Sequence, residues 1–156
     1  MNKQIIIILG RVASGKDTFA ATLINHTQID IGSIVREIKQ QEQRVFDKDL
    51  DDEITYQLKE KLKDNPTTNF VITGIRQKGI LQYLIVNCEA HFIEYECIYL
   101  EVPDEELKRR FICRQNFKDI GLSFEEVIKK DGELGLNEIE EYIKENQNLF
   151  TIIKNY

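Results

Sequence analysis

Five large aliphatics in a row, Ile5 to Leu9, run without a polar break into Gly10. So short and unalternating a run predicts a buried strand over 3–9. Downstream the period changes back and forth. Helical spacing covers 15–25, 33–42, 50–64, 77–87 and 104–116, and strand-like runs cover 27–31, 69–73 and 95–102. Beyond Gln115 the pattern weakens, with helices over 123–131 and 136–147 and a last buried strand from Leu149 to Ile153. Strands that alternate with helices predict a largely parallel sheet covered on both faces, joined by right-handed crossovers. Its ligands would bind at the carboxyl ends of the strands. Pro66 and Pro103 punctuate the pattern, and Pro103 suits the first turn of a helix whose positive end carries Asp104, Glu105 and Glu106. The segment from Asp47 to Asp64 is acidic and then amphipathic, with Ile54, Leu58 and Leu62 on one stripe. It reads as a solvated helix able to serve as a cover over substrate.

Length and composition narrow the class. The 156 residues suit one domain over 1–156, large enough to bury a core unaided; 42% hydrophobic and 31% charged residues are ordinary for a globular protein. No apolar run is long enough to span a bilayer, and the isoleucine run leads into a glycine loop rather than a cleavage site, so a cytoplasmic protein without membrane contact is expected. Cys88, Cys97 and Cys113 are odd in number and widely spaced, and read as buried small hydrophobes. His26 and His91 read as surface or capping residues. A net charge of −6 argues against nucleic acid as a partner and leaves a small anionic substrate compatible. Only seven of the 21 basic residues are arginine, and Arg36, Arg76, Arg110 and Arg114 fall at element boundaries or as a helical i, i+4 pair. A guanidinium offers a rigid fork suited to phosphate oxygens.

The chemistry starts at Gly10-Arg11-Val12-Ala13-Ser14-Gly15-Lys16-Asp17-Thr18. Gly10 and Gly15 allow positive φ and close backbone approach, so that successive N–H groups, including those of Ala13 and Ser14, can converge on an anion where the next helix begins. Lys16 adds a mobile charge that reaches outer phosphates. A hydroxyl normally follows the lysine to ligate magnesium; here Asp17 stands there and Thr18 takes the hydroxyl role. Asp17 is expected either to turn away or to meet the metal through water.

In order along the chain, these segments resemble the adenylate kinase family and its nucleoside monophosphate kinase relatives. Gly10 to Thr18 resembles the family's phosphate loop. Ile31-Gly32-Ser33-Ile34-Val35-Arg36-Glu37 resembles its TGDxxRE stretch, and Asp49 to Ile54 with the helix through Asp64 resembles the monophosphate flap. Phe70-Val71-Ile72-Thr73-Gly74-Ile75-Arg76 is similar to the FILDGFPR strand end, and Ile98 to Leu107 to the approach toward the paired lid arginines, matched by Arg110 and Arg114. The likeness spans residues 1–114. It implies a P-loop NTPase fold, three-layer α/β/α with a mostly parallel five-stranded sheet, a helical monophosphate-binding flap at about 32–65 and a short lid at about 111–135. It also implies ATP and Mg2+ as cofactors, held by Gly10 and Ala13 to Thr18 with Asp17 and Thr18 at the metal. A nucleoside or deoxynucleoside monophosphate would be held by Gly32, Ser33, Arg36, Gly74 and Arg76, and Lys16, Arg76, Arg110 and Arg114 would act on the transferring phosphoryl group in a monomer.

There are departures. Thr73 stands where the family has a metal-holding aspartate, and Ser33 replaces a second acid, so Asp17 and Asp30 are candidate substitutes or else helix caps. After Arg114 the nearest candidates for a further aspartate and arginine pair are Asp119, Lys129, Lys130 and Asp131, and donor-base contacts fall near Ile153 to Asn155. The Lys16-Asp17-Thr18 and Gly74-Ile75-Arg76 forms are also reminiscent of deoxynucleoside monophosphate kinases and dephospho-coenzyme A kinases. Two alternatives therefore stand beside monophosphate kinase: a kinase for a hydroxyl acceptor, with Asp17 or Asp30 as base, and a nucleotide-binding module without catalysis.

Overall fold

The isoleucine run forms the centre of the sheet. In a computed structural model describing residues 3–42, 51–63, 69–114 and 121–156, β1 (Gln4–Leu9) pairs with β3 (Asn69–Thr73) on one side and β4 (Glu94–Glu101) on the other. Outside these lie β2 (His26–Asp30) and β5 (Phe150–Lys154), giving the order β2-β3-β1-β4-β5 with every pair parallel. Alternate residues of β1 point to opposite faces, and both are covered. Ile5, Ile7 and Leu9 pack with residues of α2 (Ile31–Glu42), α3 (Asp51–Lys63), α4 (Lys78–Ala90) and α7 (Leu136–Glu145). Ile6 and Ile8 pack with Phe19 and Ala20 of α1 (Lys16–Ala21). A strand buried on both sides has no room for alternation, which explains the unbroken aliphatic run. The fold is α/β, and among the described residues α5 (Asp104–Arg114) and α6 (Phe124–Leu134) complete seven helices.

Several boundaries moved for local reasons. α1 stops at Ala21 instead of 25 because the Thr22 hydroxyl donates to the Phe19 carbonyl at 2.6 Å and the chain turns through Leu23 to His26. α4 runs on to Ala90, where His91 caps it with Nδ1 2.9 Å from the Asn87 carbonyl. Pro103 lies just before α5, its carbonyl accepting from Leu107 N. Cys88 and Cys97 are buried as expected, but Cys113 is exposed, since α5 turns Leu107 and Phe111 inward and Cys113 outward. The expectations resting on Asp47 to Leu50, Asp64, Pro66, the end of the 104–116 helix and Asp119 fall outside the described residues. Ile34, Ile38, Ile54, Leu58 and Leu62 of α2 and α3 belong to the same buried cluster as the sheet.

Two features aim the chain at the carboxyl edge of the sheet. α6 starts with a reciprocal cap in which Ser123 Oγ accepts from Glu126 N and the Glu126 carboxylate accepts from Ser123 N. It ends at Gly135, φ 122°, where a Cβ would lie 2.6 Å from the Arg76 carbonyl; this glycine lets the α6–α7 corner sit directly on the segment leaving β3. No helix among the described residues is long and apolar enough to cross a membrane.

Candidate functional site

β1 ends at Leu9, and the chain reverses through a tight turn in which Ser14 N donates to the Arg11 carbonyl at 3.1 Å. The two left-handed residues of this loop are Ala13, φ 63°, and Gly15, φ 94°. Gly10 was expected to share that conformation and does not; it is needed for space, because a Cβ there would lie 2.5 Å from Ser14 Oγ and 3.3 Å from the Leu100 carbonyl. Gly15 leads into α1, whose first-turn N–H groups at Gly15, Lys16, Asp17 and Thr18 have no helical acceptor and carry positive partial charge.

The Lys16 ammonium bonds to the Arg11 carbonyl at 2.8 Å. Its side chain keeps some contact with solvent, yet loss of hydration lowers its pKa from 10.5 to about 7. Arg76 and Arg114 push the same way, and Asp131 and Asp17 oppose.

Around this loop lies a cavity of ≈ 730 Å³ whose wall carries seven cations, Lys16, Arg36, Lys39, Arg76, Arg110, Arg114 and Lys130, against the carboxylates of Asp17, Asp30 and Asp131. That excess of positive charge suits a polyanion. The four arginines singled out from sequence all reach it, from α2, the β3 exit and α5. Arg76 is fixed by the protein: Nε donates to Asp131 Oδ1 at 2.7 Å and Nη1 to the Gly74 carbonyl at 3.1 Å. Asp131 is nearly buried, and its Oδ2 has no hydrogen-bond partner among the described residues. Arg110 donates to Glu106 at 3.0 Å and to the Ser14 and Asn155 carbonyls. Arg114 lies over the Phe111 ring at 5.6 Å. Arg36 donates to Ser33 Oγ at 3.0 Å and pairs with Asp30 at 3.6 Å.

Of the remaining predicted residues, Ser33 is exposed and, like Gly10 and Ser14, does not line the cavity. Gly32 and Gly74 line the cavity; Gly74, φ 83°, has Asp30 Oδ1 where its Cβ would be, at 2.5 Å. Asp30 accepts from Gly32 N at 3.3 Å, Ser33 Oγ at 3.1 Å and Thr73 Oγ1 at 3.4 Å, which makes it the cap of α2. Asp17 is exposed and accepts from Gln28 Nε2 at 3.0 Å, and the same Gln28 amide donates to Thr73 Oγ1 at 3.1 Å. Asp17 and Thr18 offer hard oxygen donors beside Lys16 on the cavity wall. That set fits a magnesium ion held mainly by water and substrate phosphates.

Sequence reasoning missed Gln28, whose signal was its place two residues before Asp30 on one strand face. It also missed that Asn155 donates to the Ser14 carbonyl at 2.9 Å and covers Gly15, and that Asp131 fixes Arg76.

No family model and no curated protein matches the sequence. Among solved structures, a chain from "Structure of the Pnkp1/Rnl/Hen1 RNA repair complex" is similar, with a TM-score of 0.63 and 19% identity over 90% of this chain and 46% of that one. This chain thus spans less than half the length of that neighbour, and a likeness at this identity concerns the fold.

Proposed function

We propose that the chain is an ATP-dependent phosphotransferase of the P-loop class, passing the γ-phosphoryl group of ATP to a nucleoside or deoxynucleoside monophosphate. One observation carries the reading: the amide-rich start of α1 and Lys16 share a single cavity with guanidinium groups from three separate elements, Arg36, Arg76, and the pair Arg110 and Arg114. Cations from several elements lining one space suit phosphorylated substrates.

The chemistry follows from what these residues can hold. The loop amides and Lys16 would take the donor phosphates, with Arg36 and Arg76 on the acceptor phosphate. Arg110 and Arg114 would face charge that develops during transfer. An acceptor phosphate is already anionic at neutral pH, so one of its oxygens attacks the γ-phosphorus as the bond to the β-phosphate oxygen breaks, with no general base. Magnesium, bound near Thr18 and Asp17 with the donor phosphates, would neutralise charge on them. Asp30 bears on the hydroxyl-acceptor alternative: with three hydrogen bonds already accepted, it serves as a cap, which favours the phosphate acceptor. The structural neighbour belongs to an RNA repair complex, but this chain's charge of −6 does not favour a nucleic acid substrate.

The test is a panel of ribo- and deoxyribonucleoside monophosphates incubated with ATP and magnesium, read as diphosphate formation. One monophosphate should yield two diphosphates, and Lys16→Ala should abolish it. Failure with every common monophosphate would reject the activity.

A further inference from the structure

Arg11 lies inside the glycine-framed loop, yet its guanidinium is held away from the cavity. Nε and Nη2 donate to the two carboxylate oxygens of Glu140 at 3.1 and 3.2 Å, and Nη1 donates to Asp104 at 3.0 Å. Glu140 belongs to α7, 129 residues along the chain. It is itself held, since Tyr99 of β4 donates to Glu140 Oε2 at 2.6 Å. A two-pronged carboxylate–guanidinium contact with a third donor on the carboxylate fixes orientation as well as charge. The Glu140 side chain is only 19% exposed, whereas that of Asp104 is 74% exposed, so the geometric constraint comes from Glu140.

The main chain of the same arginine carries the other half of the argument. The Arg11 carbonyl accepts both Ser14 N, which closes the turn, and the Lys16 ammonium. Fixing the Arg11 side chain from behind therefore fixes the peptide on which the turn and the lysine both depend. We propose that Glu140, supported by Tyr99, is a positioning residue for the Gly10–Gly15 loop: through Arg11 it sets the loop's shape and the resting place of Lys16, and so controls donor-nucleotide affinity from outside the cavity. The affinity half rests on the function proposed above; the loop-shape half does not.

Glu140→Gln tests both, since it removes the charge and keeps the side chain's size. In the ligand-free protein, hydrogen exchange at the Ser14 amide should rise about tenfold while the amides of Ile6 to Ile8 stay unchanged. Calorimetry should find the ATP dissociation constant raised about tenfold and that of the preferred monophosphate changed less than twofold, a split that a merely structural role would not produce. Tyr99→Phe, a milder change that guards against misfolding, should move the same two readouts about threefold, and Asp104→Asn less than twofold. Unchanged Ser14 exchange, equal acceleration in β1, or equal weakening of both ligands would overturn the proposal. Faster Ser14 exchange in a protein whose wild type binds no ATP would uphold the positioning role and sink the nucleotide reading.

Discussion

Gly74→Ala should cost more than any surface change of its size, and the structure divides the cost in two. At φ 83° an alanine pays the left-handed penalty of about 1–2 kcal/mol. Its Cβ would also lie 2.5 Å from Asp30 Oδ1, so the carboxylate must leave the position from which it caps Gly32 N, a loss of about 1 kcal/mol. The sum is about 2–3 kcal/mol, a fall in Tm of roughly 5–10 °C for a chain of this size. Asp30→Ala alone removes the cap and costs about 1 kcal/mol. In that background the new methyl meets no carboxylate, so the double variant should be about 1 kcal/mol more stable than the two single costs predict. Urea unfolding followed by far-UV circular dichroism measures all four proteins. Additivity within about 0.5 kcal/mol would mean that Asp30 is not what the methyl displaces, and the account of this corner would be wrong.

Lys16 gives a pH dependence. Its pKa is about 7 in the folded, empty protein against 10.5 ordinarily, so between those values the unfolded chain binds the extra proton and this group's contribution to stability rises with pH; the penalty is fully present below 7. Lys16→Met should therefore exceed wild type in stability at pH 6, with the difference shrinking toward pH 10. Because a bound polyphosphate favours the ammonium form, ATP binding at pH 8 should take up a proton, seen as a heat that varies with buffer ionisation enthalpy; a buffer-independent heat contradicts this. Arg76→Leu leaves the nearly buried Asp131 carboxylate without its partner and should cost about 3 kcal/mol, largely recovered in Arg76→Leu/Asp131→Leu, as urea titration would report. Leu58→Ala, at a position with 0% exposure, should cost about 3 kcal/mol by the same assay.

The strands and helices were legible because each carries its own period: the unbroken Ile5 to Leu9 run and the Ile54, Leu58, Leu62 stripe need no tertiary knowledge. Strand order was not written locally, since Ile7 meets Ile72 and Cys97 through pairings set by the whole chain. At the site, residue types singled out the loop and the four arginines, and the structure brings Lys16, Arg36, Arg76, Arg110 and Arg114 to one cavity wall. What stayed hidden were relations between distant segments. Asp131 beside Arg76 and Gln28 between Asp17 and Thr73 depend on how elements dock, and Ala13 in a left-handed conformation depends on the turn that encloses it. The pairing of Arg36 with Asp30 was hidden in the same way, since Asp30, at the end of β2, reaches it across the first turn of α2.

The middle position of β1 has a cost before the fold exists. Ile5 pairs with Phe70, and Gln4 with Glu94, so the most aliphatic stretch of the chain leaves the ribosome long before either neighbour is made. At about 5–20 residues per second, the wait for β3 alone lasts roughly 3–13 s. For that time a bare, uncharged ribbon of β-branched residues is open to pairing with other nascent copies, and its yield in a cell should depend on chaperones that shield it.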